Sequence, residues 1–248
     1  MITNFYTKPE NIERDSLTIE GEEAKHILSV LRYRKGDVIP VVDGCGIKYN
    51  VMIEKTSINS LEGKILSRIR KENEPAGHVT LAQALCRQER MDFLIEKATE
   101  IGVSSIVPIL TQKGLVKVSG IPKGKTKIER WRRIAIASMK QSLRTVLPEI
   151  EDILEFENLL SRIGSYDLCL IASKEKDSKN IKECGELKRR TRKILLIVGP
   201  EAGFTKEELS QAKSQGAIPI TLGSRRLRTE TAGMVFLSLI LHQLEDLD

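Results

Sequence analysis

The chain has 248 residues, of which 40% are hydrophobic and 30% are charged, and its formal net charge at pH 7 is +6. This composition fits a globular protein with one large or two smaller domains, and the apolar runs are too short for a membrane span. The four cysteines form no Cys-x-x-Cys pair and the three histidines are dispersed, which argues against a zinc site and a disulfide framework. Because no export signal is visible at the N-terminus, we expect a cytoplasmic protein.

Residues 1–72 have the pattern of a small β-rich domain. A short helix is predicted at 21–33, and a glycine-containing turn is predicted at 43–46. Short alternating runs, typical of strands, lie at 38–42, 47–54 and 61–69. This spacing indicates a compact β-barrel-like unit. The polar segment 71–77 contains proline and glycine and is predicted to be a linker.

In residues 73–248 strand and helix patterns alternate, which is typical of an α/β domain with a mainly parallel sheet. The predicted strands are 79–85, 103–110, 168–172, 194–198 and 218–222, and the predicted helices are 91–101 and 231–244, with one more inside 173–192. The sequence therefore predicts an α/β chain with two domains, 1–72 and 73–248.

A strongly basic segment runs from Lys113 to Arg144, with ten bases and one acid and hence a net charge of +9. Such a segment favours a polyanionic partner, above all nucleic acid, although a solvated surface is the alternative. Helical spacing predicts a buried stripe of Ile128, Trp131, Ala135, Met139 and Ser142, and an exposed row of Arg130, Arg133, Lys140 and Arg144. Aromatic residues make up only 4% of the chain, so phosphate contacts should outweigh base stacking.

The segment Gly120–Thr126 superficially resembles a phosphate-binding loop. It has three residues between its glycines where the motif needs four, and Pro122 lacks the N–H that the loop would use. We therefore predict a basic surface loop. Hydrolase and dinucleotide-binding turns are also missing, since the chain contains neither Gly-x-Ser-x-Gly nor Gly-x-Gly-x-x-Gly after a strand.

Two glycine turns follow the last two apolar runs, at 199–204 and at 223–232. In open α/β sheets, ligands bind beyond the carboxyl ends of the strands, where glycine allows a close backbone approach. Thr205 and Glu208 have the spacing of a capping box that begins a helix after the first turn. Glycine turns also join strands to helices in proteins that bind nothing, but two matching loops favour a small-molecule pocket.

The amino-acid sequences of these two loops resemble those of a known family. Gly-Pro-Glu-x-Gly-Phe at 199–204 and Leu-Gly-x-Arg-x-Leu-Arg-Thr-Glu-Thr-Ala at 222–232 are similar to the signature of the ribosomal RNA small subunit methyltransferase E (RsmE) family, within the SPOUT class. The resemblance includes 26–32, 97–103 and Gln141-Ser-x-Arg144, and so covers nearly the whole chain. The chain departs from the family at Ala202, which replaces a usual glycine, and at Lys140 and Leu143, where Glu-Gln-Ser-Gly-Arg is usual.

The resemblance implies a fold and an activity. The fold is an N-terminal PUA-like β-barrel that binds RNA, followed by a SPOUT α/β domain with a C-terminal trefoil knot, in a homodimer. The activity is transfer of a methyl group from S-adenosylmethionine to N3 of a uridine in 16S ribosomal RNA. The reaction is expected to need no metal ion, and no membrane is expected among the partners. Two alternatives stay open, namely a related enzyme that methylates another position such as a ribose 2′-hydroxyl, and a non-catalytic RNA-binding protein with a vestigial pocket.

The site residues follow from the loops and from the implied reaction. The expected cofactor-binding residues are Ile171, Gly199, Glu201, Leu222, Gly223 and Leu227. Loss of the N3 proton puts charge on uridine O2 and O4, which an arginine could stabilise; Arg228 is the first candidate and Arg225 the second. Glu230 is a candidate proton acceptor, although Glu201 and Glu230 could instead be ion-pair partners of these arginines, and a base is not required if the imide ionises on binding. Candidate RNA contacts are Arg32, Arg34, Lys35, Arg130, Arg133 and Arg144.

Overall fold

The computed structural model describes residues 3–115, 121–183 and 193–247. Its contacts divide the chain into two compact units. The first comprises Met1–Glu74 with Ile136–Leu147, and the second comprises Pro75–Ala135 with Pro148–Asp248. Within the described ranges, no helix combines the length and the apolar composition that crossing a membrane requires.

The first unit is built on one five-stranded sheet. Its elements are β1 (Phe5–Tyr6), β2 (Ser16–Glu20), α1 (Gly21–Lys25), a π-helical turn (His26–Val30), β3 (Val38–Val42), β4 (Ile47–Thr56) and β5 (Ser60–Arg70). The strand order is β1-β3-β4-β5-β2; β1 and β3 are parallel and the other pairs are antiparallel. The predicted strands are confirmed, but in the described part of the chain the ladder stays open between β1 and β2, so the barrel is incomplete.

Alternation along the strands forms the core of this unit. On β4, the side chains of Tyr49, Val51 and Ile53 are buried, and they pack with apolar residues of β2, β3 and β5. Gly63 on β5 leaves the space that Val51 occupies, since a Cβ at that glycine would lie 2.3 Å from Val51 Cγ1. The position therefore needs glycine because the two strands approach each other too closely for a side chain.

A carboxylate clamp joins the end of the predicted linker to the segment after the basic helix. Glu74 Oε2 accepts a hydrogen bond from Arg144 Nη2 at 2.8 Å, and Glu74 Oε1 accepts from the backbone N–H groups of Thr145 (2.6 Å) and Val146 (2.8 Å). Arg144 is only 3% exposed, so the prediction that it belongs to an exposed row of cations is wrong. A buried guanidinium with a fixed carboxylate partner stabilises the fold and is not available to a phosphate.

The second unit contains the remaining elements. They are β6 (His78–Ala84), α2 (Gln88–Ile101), β7 (Ser105–Leu110), α3 (Ile121–Gln141, whose last residues belong to the first unit), β8 (Glu149–Ile150), β9 (Leu154–Glu155), α4 (Phe156–Leu160), β10 (Leu168–Ala172), β11 (Lys179–Asn180), β12 (Lys193–Val198), α5 (Lys206–Ser214), β13 (Ile218–Thr221) and α6 (Thr229–Gln243). The strands form one parallel sheet in the order β11-β13-β10-β12-β6-β7-β8, and β9 also pairs with β7. The α/β prediction for this half is confirmed.

Two local predictions were wrong or only partly testable. Helix α3 begins at Ile121, so the predicted surface loop over 120–126 is helical in its described part, and Gly120 lies outside the described residues. Proline is tolerated in the first turn of a helix because its missing N–H would have no partner there. A helix was predicted inside 173–192. The described part of this range contains the short strand β11 and a 3₁₀ turn at Ile181–Glu183, and residues 184–192 lie outside the described ranges.

The buried stripe of α3 is confirmed, because Ile128, Trp131, Ala135 and Met139 are buried. Ser142 lies just beyond the helix and is half-buried. The predicted cation row differs at Lys140, which is half-buried and whose Nζ contacts both carboxylate oxygens of Glu23, at 2.7 and 2.9 Å. With Arg144–Glu74 and Arg130–Asp92, long-range ion pairs therefore take up three of the four predicted cations.

The predicted capping box at the start of α5 is present. Thr205 Oγ1 accepts a hydrogen bond from the Glu208 N–H at 3.1 Å, and Glu208 Oε2 accepts one from the Thr205 N–H at 2.7 Å. The other oxygen of Glu208 accepts from the Gln112 N–H at 2.8 Å, so this buried carboxylate also fixes the segment after β7.

We predict that Thr205→Ala lowers the free energy of unfolding by about 1 kcal/mol, because the N-cap hydroxyl is lost while Glu208 remains. Urea unfolding followed by circular dichroism measures the change. Ser210→Ala on the exposed face of the same helix is the control and should leave the midpoint unchanged. Equal midpoints for all three proteins would mean that the box contributes nothing.

Candidate functional site

Three strands of the parallel sheet end at a common edge and carry the loops of a cavity. The cavity has a volume of about 600 Å³ and lies beyond the carboxyl ends of β10, β12 and β13. Five of the six predicted cofactor-binding residues line it, together with Arg225: Gly199, Glu201, Leu222, Gly223 and Leu227. Ile171, the sixth, is fully buried in the core, and its neighbour Ala172 lines the cavity instead.

A chain of hydrogen bonds holds the two glycine loops together. Gln83 Nε2 on β6 donates to Thr229 Oγ1 at 2.8 Å, and Thr229 Oγ1 donates to the carbonyl oxygen of Gly199 at 2.6 Å. Gln83 and Thr229 are both buried, so these bonds are shielded from water. The first residue of α6 is therefore fixed against the end of β12, and the two loops face the same space.

The glycines of the loops have distinct structural reasons. A Cβ at Gly199 would lie within 3.2 Å of three atoms of the Phe204 ring, so the ring packs directly on this backbone. Gly203 and Gly223 have φ angles of +70° and +98°, which side chains other than glycine rarely adopt. Ala202 is outside the positive-φ residues, so the alanine that replaces the family glycine is accommodated without backbone strain.

Basic side chains surround the cavity and bond to its loops. Lys113 Nζ donates to the carbonyl of Phe204 at 3.0 Å, and Lys174 Nζ donates to the carbonyl of Arg225 at 3.1 Å. These bonds fix the loops while leaving a positive rim. Among the described residues, no group of three or more histidine, cysteine, aspartate or glutamate side chains could hold a metal ion.

A second cavity of about 620 Å³ contains the two remaining catalytic candidates. It is lined by Glu89, Arg90, Phe93, Arg226, Leu227, Arg228, Glu230 and Thr231. Arg228 and Glu230 therefore lie together, and the shared lining residues Arg226 and Leu227 place this cavity beside the first one.

Arg90 on α2 contacts both Glu201 in the first glycine loop and Glu230 at the start of α6. Its Nη1 lies 2.8 Å from Glu201 Oε1, and its Nε lies 3.8 Å from Glu230 Oε1. The sequence predicted that Glu201 and Glu230 either pair with Arg225 and Arg228 or act on a ligand. In the described part of the chain, Arg225 and Arg228 are exposed and form no ion pair. Arg90 thus connects α2, the first loop and the start of α6.

The thiol of Cys86 lies close to this cluster. Burial, with the carboxylates of Glu230 and Glu201 nearby, raises the pKa of the Cys86 thiol to about 12. A thiol with such a pKa is neutral at physiological pH and is not a nucleophile. The ionisable groups that line the second cavity are the carboxylates of Glu89 and Glu230 and the arginines.

The candidate RNA contacts occur in both units, each described by itself. In the first unit, Arg32, Arg34 and Lys35 are exposed in the turn before β3, where the Asp37 carboxylate accepts a hydrogen bond from the Arg34 N–H at 2.7 Å. In the second unit, Arg130 is exposed but pairs with Asp92 at 2.7 Å, and Arg133 is exposed.

Sequence reasoning missed Gln83, Arg90, Phe93 and Arg226. Gln83 lies in an apolar strand, where one polar side chain between buried residues could have signalled a hydrogen-bond role. Arg90 and Phe93 lie in an ordinary amphipathic helix, and nothing in their spacing distinguishes them. Their role depends on the packing of α2 against α6.

We predict that Thr229→Val lowers the free energy of unfolding by about 1–3 kcal/mol, because the Gly199 carbonyl loses its donor and the Gln83 amide loses one of its two acceptors while the shape is kept. The measurement is denaturant unfolding. Thr231→Val is the matched control on the same helix, since the Thr231 hydroxyl has no hydrogen bond to the described residues. If both variants unfold at the wild-type midpoint, the hydrogen-bond chain does not hold the loops.

Comparisons with known proteins agree with this arrangement. A family model described as an RNA methyltransferase domain matches residues 72–241, and a model described as an RNA methyltransferase PUA domain matches residues 19–66. The chain is 31% identical to ribosomal RNA small subunit methyltransferase E of Synechocystis sp., over 97% of this chain and 77% of that protein. It is 29% identical to the Bacillus subtilis protein of the same name, over 96% and 94% of the two chains.

A solved structure has the same fold. It is that of ribosomal RNA small subunit methyltransferase E from Neisseria gonorrhoeae bound to S-adenosyl methionine, with a TM-score of 0.85, 29% identity and 96% coverage of both chains. The N-terminal unit is thus PUA-like and the second unit is a methyltransferase domain. The chain belongs to the ribosomal RNA small subunit methyltransferase E family.

Proposed function

We propose that this chain transfers a methyl group from S-adenosylmethionine to N3 of a uridine in 16S ribosomal RNA. The observation that carries the proposal is the hydrogen-bond chain from Gln83 through Thr229 to Gly199, which brings both family loops to one cavity. The second cavity, with Arg228 and Glu230, supplies groups suited to an acceptor that must lose a proton. The relatives carry the name of a small-subunit ribosomal RNA methyltransferase, and the Neisseria gonorrhoeae protein binds S-adenosyl methionine.

The first cavity fits an adenosine-sized cofactor. Its volume lies within the range of about 300–1,000 Å³ that is usual for small-molecule sites. Nothing lies within 4 Å of a Cβ built at Gly203 or Gly223, so a ligand can approach both backbones closely. We assign Gly199, Glu201, Leu222, Gly223 and Leu227 to cofactor binding, and Ile171 only through its backbone because its side chain is in the core.

The reaction uses the residues of the chain for orientation, charge and proton transfer. When bound, S-adenosylmethionine supplies a methyl group on a positively charged sulfur, which is already activated for transfer. The loops hold the reactants in line, which is catalysis by orientation. Glu230 accepts the N3 proton on a carboxylate oxygen, and the positive charge of Arg228, with Arg225 as second candidate, stabilises the negative charge that remains on O2 and O4.

Glu230 has the freedom that this role requires. Arg90 lies against Oε1, whereas Oε2 has no hydrogen-bond partner among the described residues. A carboxylate paired at both oxygens would be a weak base, because hydrogen bonds to the charged form disfavour protonation. Glu230 keeps one oxygen for the proton.

The remaining features of the proposal concern RNA binding and assembly. We assign phosphate contacts to Arg32, Arg34, Lys35, Arg130 and Arg133, all of which are exposed. The division into an RNA-binding domain at 1–72 and a methyltransferase domain at 73–248 is supported by the two family models.

The chain is proposed to act as a homodimer in the cytoplasm, where ribosomes are assembled. Helix α6 supports a dimer, since apolar residues such as Met234, Val235 and Leu239 are only half-buried on it. A C-terminal trefoil knot is part of the proposal because the chain belongs to the family whose resemblance implies one.

We predict that the purified protein methylates N3 of one uridine in small ribosomal subunits from cells that lack it, and that Arg228→Ala lowers kcat about 100-fold. Mass spectrometry of nucleosides identifies the product, and calorimetry with S-adenosylmethionine measures cofactor affinity. Arg162→Ala, outside both cavities, is the control. A ribose-methylated product would assign the chain to the rival enzyme class, and no binding heat would indicate a binding module.

We predict that replacing Arg32, Arg34 and Lys35 by alanine weakens RNA binding. The plot of log affinity against log salt concentration should become shallower by about 2 to 3, because binding releases about one counterion fewer for each phosphate contact that is lost. Filter binding at several salt concentrations measures the slope. Replacing Lys8, Arg14 and Lys55 changes the net charge equally at other exposed positions of the same unit. Equal slopes for both triple variants would show a general charge effect and no phosphate contact.

A further inference from the structure

The second cavity combines a buried carboxylate with an exposed aromatic ring. Glu230 is 6% exposed, and its Oε2 atom is buried without a hydrogen-bond partner among the described residues. Buried polar atoms are almost always hydrogen-bonded, so this oxygen is an open acceptor in the cavity wall. A ligand that carries an N–H or O–H group would satisfy it.

The aromatic ring is that of Phe93, one turn after Arg90 on α2. Its side chain is 46% exposed, although the chain contains few aromatic residues and most large apolar side chains of this unit are buried. The Phe93 ring lines the same cavity as Glu230, and Lys97 Nζ lies 6.0 Å from its centroid. An exposed ring next to cations is a suitable stacking surface for a flat, electron-delocalised ligand.

The rim of this cavity carries positive charge. Arg226 and Arg228 line it and are exposed, and Arg228 forms no ion pair within the described ranges. A ligand that matches Phe93, Glu230 and these arginines has a flat ring, a hydrogen-bond donor on the edge of that ring and an anionic group nearby. A nucleotide has all three.

From these observations we infer that the second cavity is the binding pocket of the acceptor nucleobase, turned out of its RNA strand. The base stacks on Phe93, its edge N–H donates to Glu230 Oε2, and its flanking phosphate contacts Arg226 or Arg228. Arg90 is a positioning residue, because its contacts with Glu201 and Glu230 hold the carboxylate beside the first cavity. The inference rests on the proposed function, since it names where the acceptor of that reaction binds.

Specificity follows from this geometry. Glu230 is acceptor-only when ionised, so with N3 of the base placed against it the carboxylate favours a base that carries a hydrogen at N3, as uracil does. Cytosine has an unprotonated N3, which would face the carboxylate with a lone pair. The pocket therefore discriminates between the two pyrimidines by the hydrogen at N3.

The test is a photo-cross-link that requires binding but no turnover. A 16S ribosomal RNA fragment with 4-thiouridine at the modified position is bound to the full chain and irradiated with near-ultraviolet light. We expect an adduct on the tryptic peptide Met91–Lys97, which contains Phe93. Adducts found only on other peptides would overturn the inference.

Steady-state kinetics supply the second arm. Phe93→Ala should raise the KM for RNA about tenfold with the affinity for S-adenosylmethionine unchanged, and Phe93→Tyr should restore it, because stacking needs only a ring. Arg90→Gln should lower kcat more than it raises KM, and Arg90→Lys should restore part of the loss. Glu207→Gln on the exposed face of α5 is the control.

The outcomes separate this inference from the proposed function. If the wild-type protein leaves ribosomal RNA unmethylated, the proposed function fails, and the pocket assignment that rests on it fails with it. If the wild-type protein methylates N3 while Phe93→Ala keeps the wild-type KM, the pocket assignment fails alone. Sedimentation is the last check, since conversion of Phe93→Ala to a smaller species would assign this cavity to a second copy of the chain and overturn the inference.

Discussion

The hydrogen-bond chain from Gln83 through Thr229 to the Gly199 carbonyl is the constraint on which the site depends. Each strand-end loop alone is a short glycine turn with little buried surface, and its position would be weakly determined. The hydroxyl of Thr229 links the end of β12 to the start of α6, and the Gln83 amide anchors it to the sheet. Because these groups are buried, water cannot replace the bonds at low cost, so the loops are positioned before any ligand arrives.

The same junction sets the electrostatics of the second cavity. Helix α6 begins at Thr229, so Glu230 lies in its first turn, where the helix dipole favours a negative charge. Arg90 is close to one oxygen of Glu230 and to Glu201, which balances two acids with one cation. The Oε2 atom of Glu230 has no hydrogen-bond partner among the described residues, so it is available as an acceptor. The proposed removal of an imide proton would use Glu230 as acceptor and the exposed Arg228 as the stabilising charge.

The parts of the fold that depend on local pattern could be predicted from the sequence. Local sequence patterns predict the Thr205–Glu208 capping box, the Trp131 stripe and the individual strands, and the structure confirms them. Side-chain partners far apart in the chain could not be predicted. Arg144 looked like a surface cation because its spacing matched Arg130, but Glu74, which buries it, lies 70 residues away. Arg90 was missed for the same reason, because its partners Glu201 and Glu230 lie more than one hundred residues later in the chain.

The departures from the family pattern bear on whether the pocket could be vestigial. Lys140 stands where the family usually has glutamate, yet Glu23 lies opposite it and forms an ion pair of 2.7 Å, so the charge is compensated inside the first unit. Leu143 replaces a usual glycine and keeps a φ of +61°, a strain of about 1 kcal/mol that the Glu74 clamp on the next residues can hold. Ala202 avoids positive φ because Gly203 takes that conformation. In a site that is no longer used, such substitutions would remain uncompensated. Substitutions would also be expected in the two glycine loops, at Gln83 and at Arg90. The departures are therefore accommodated substitutions, and the arrangement of the cavities favours an enzyme over a binding module.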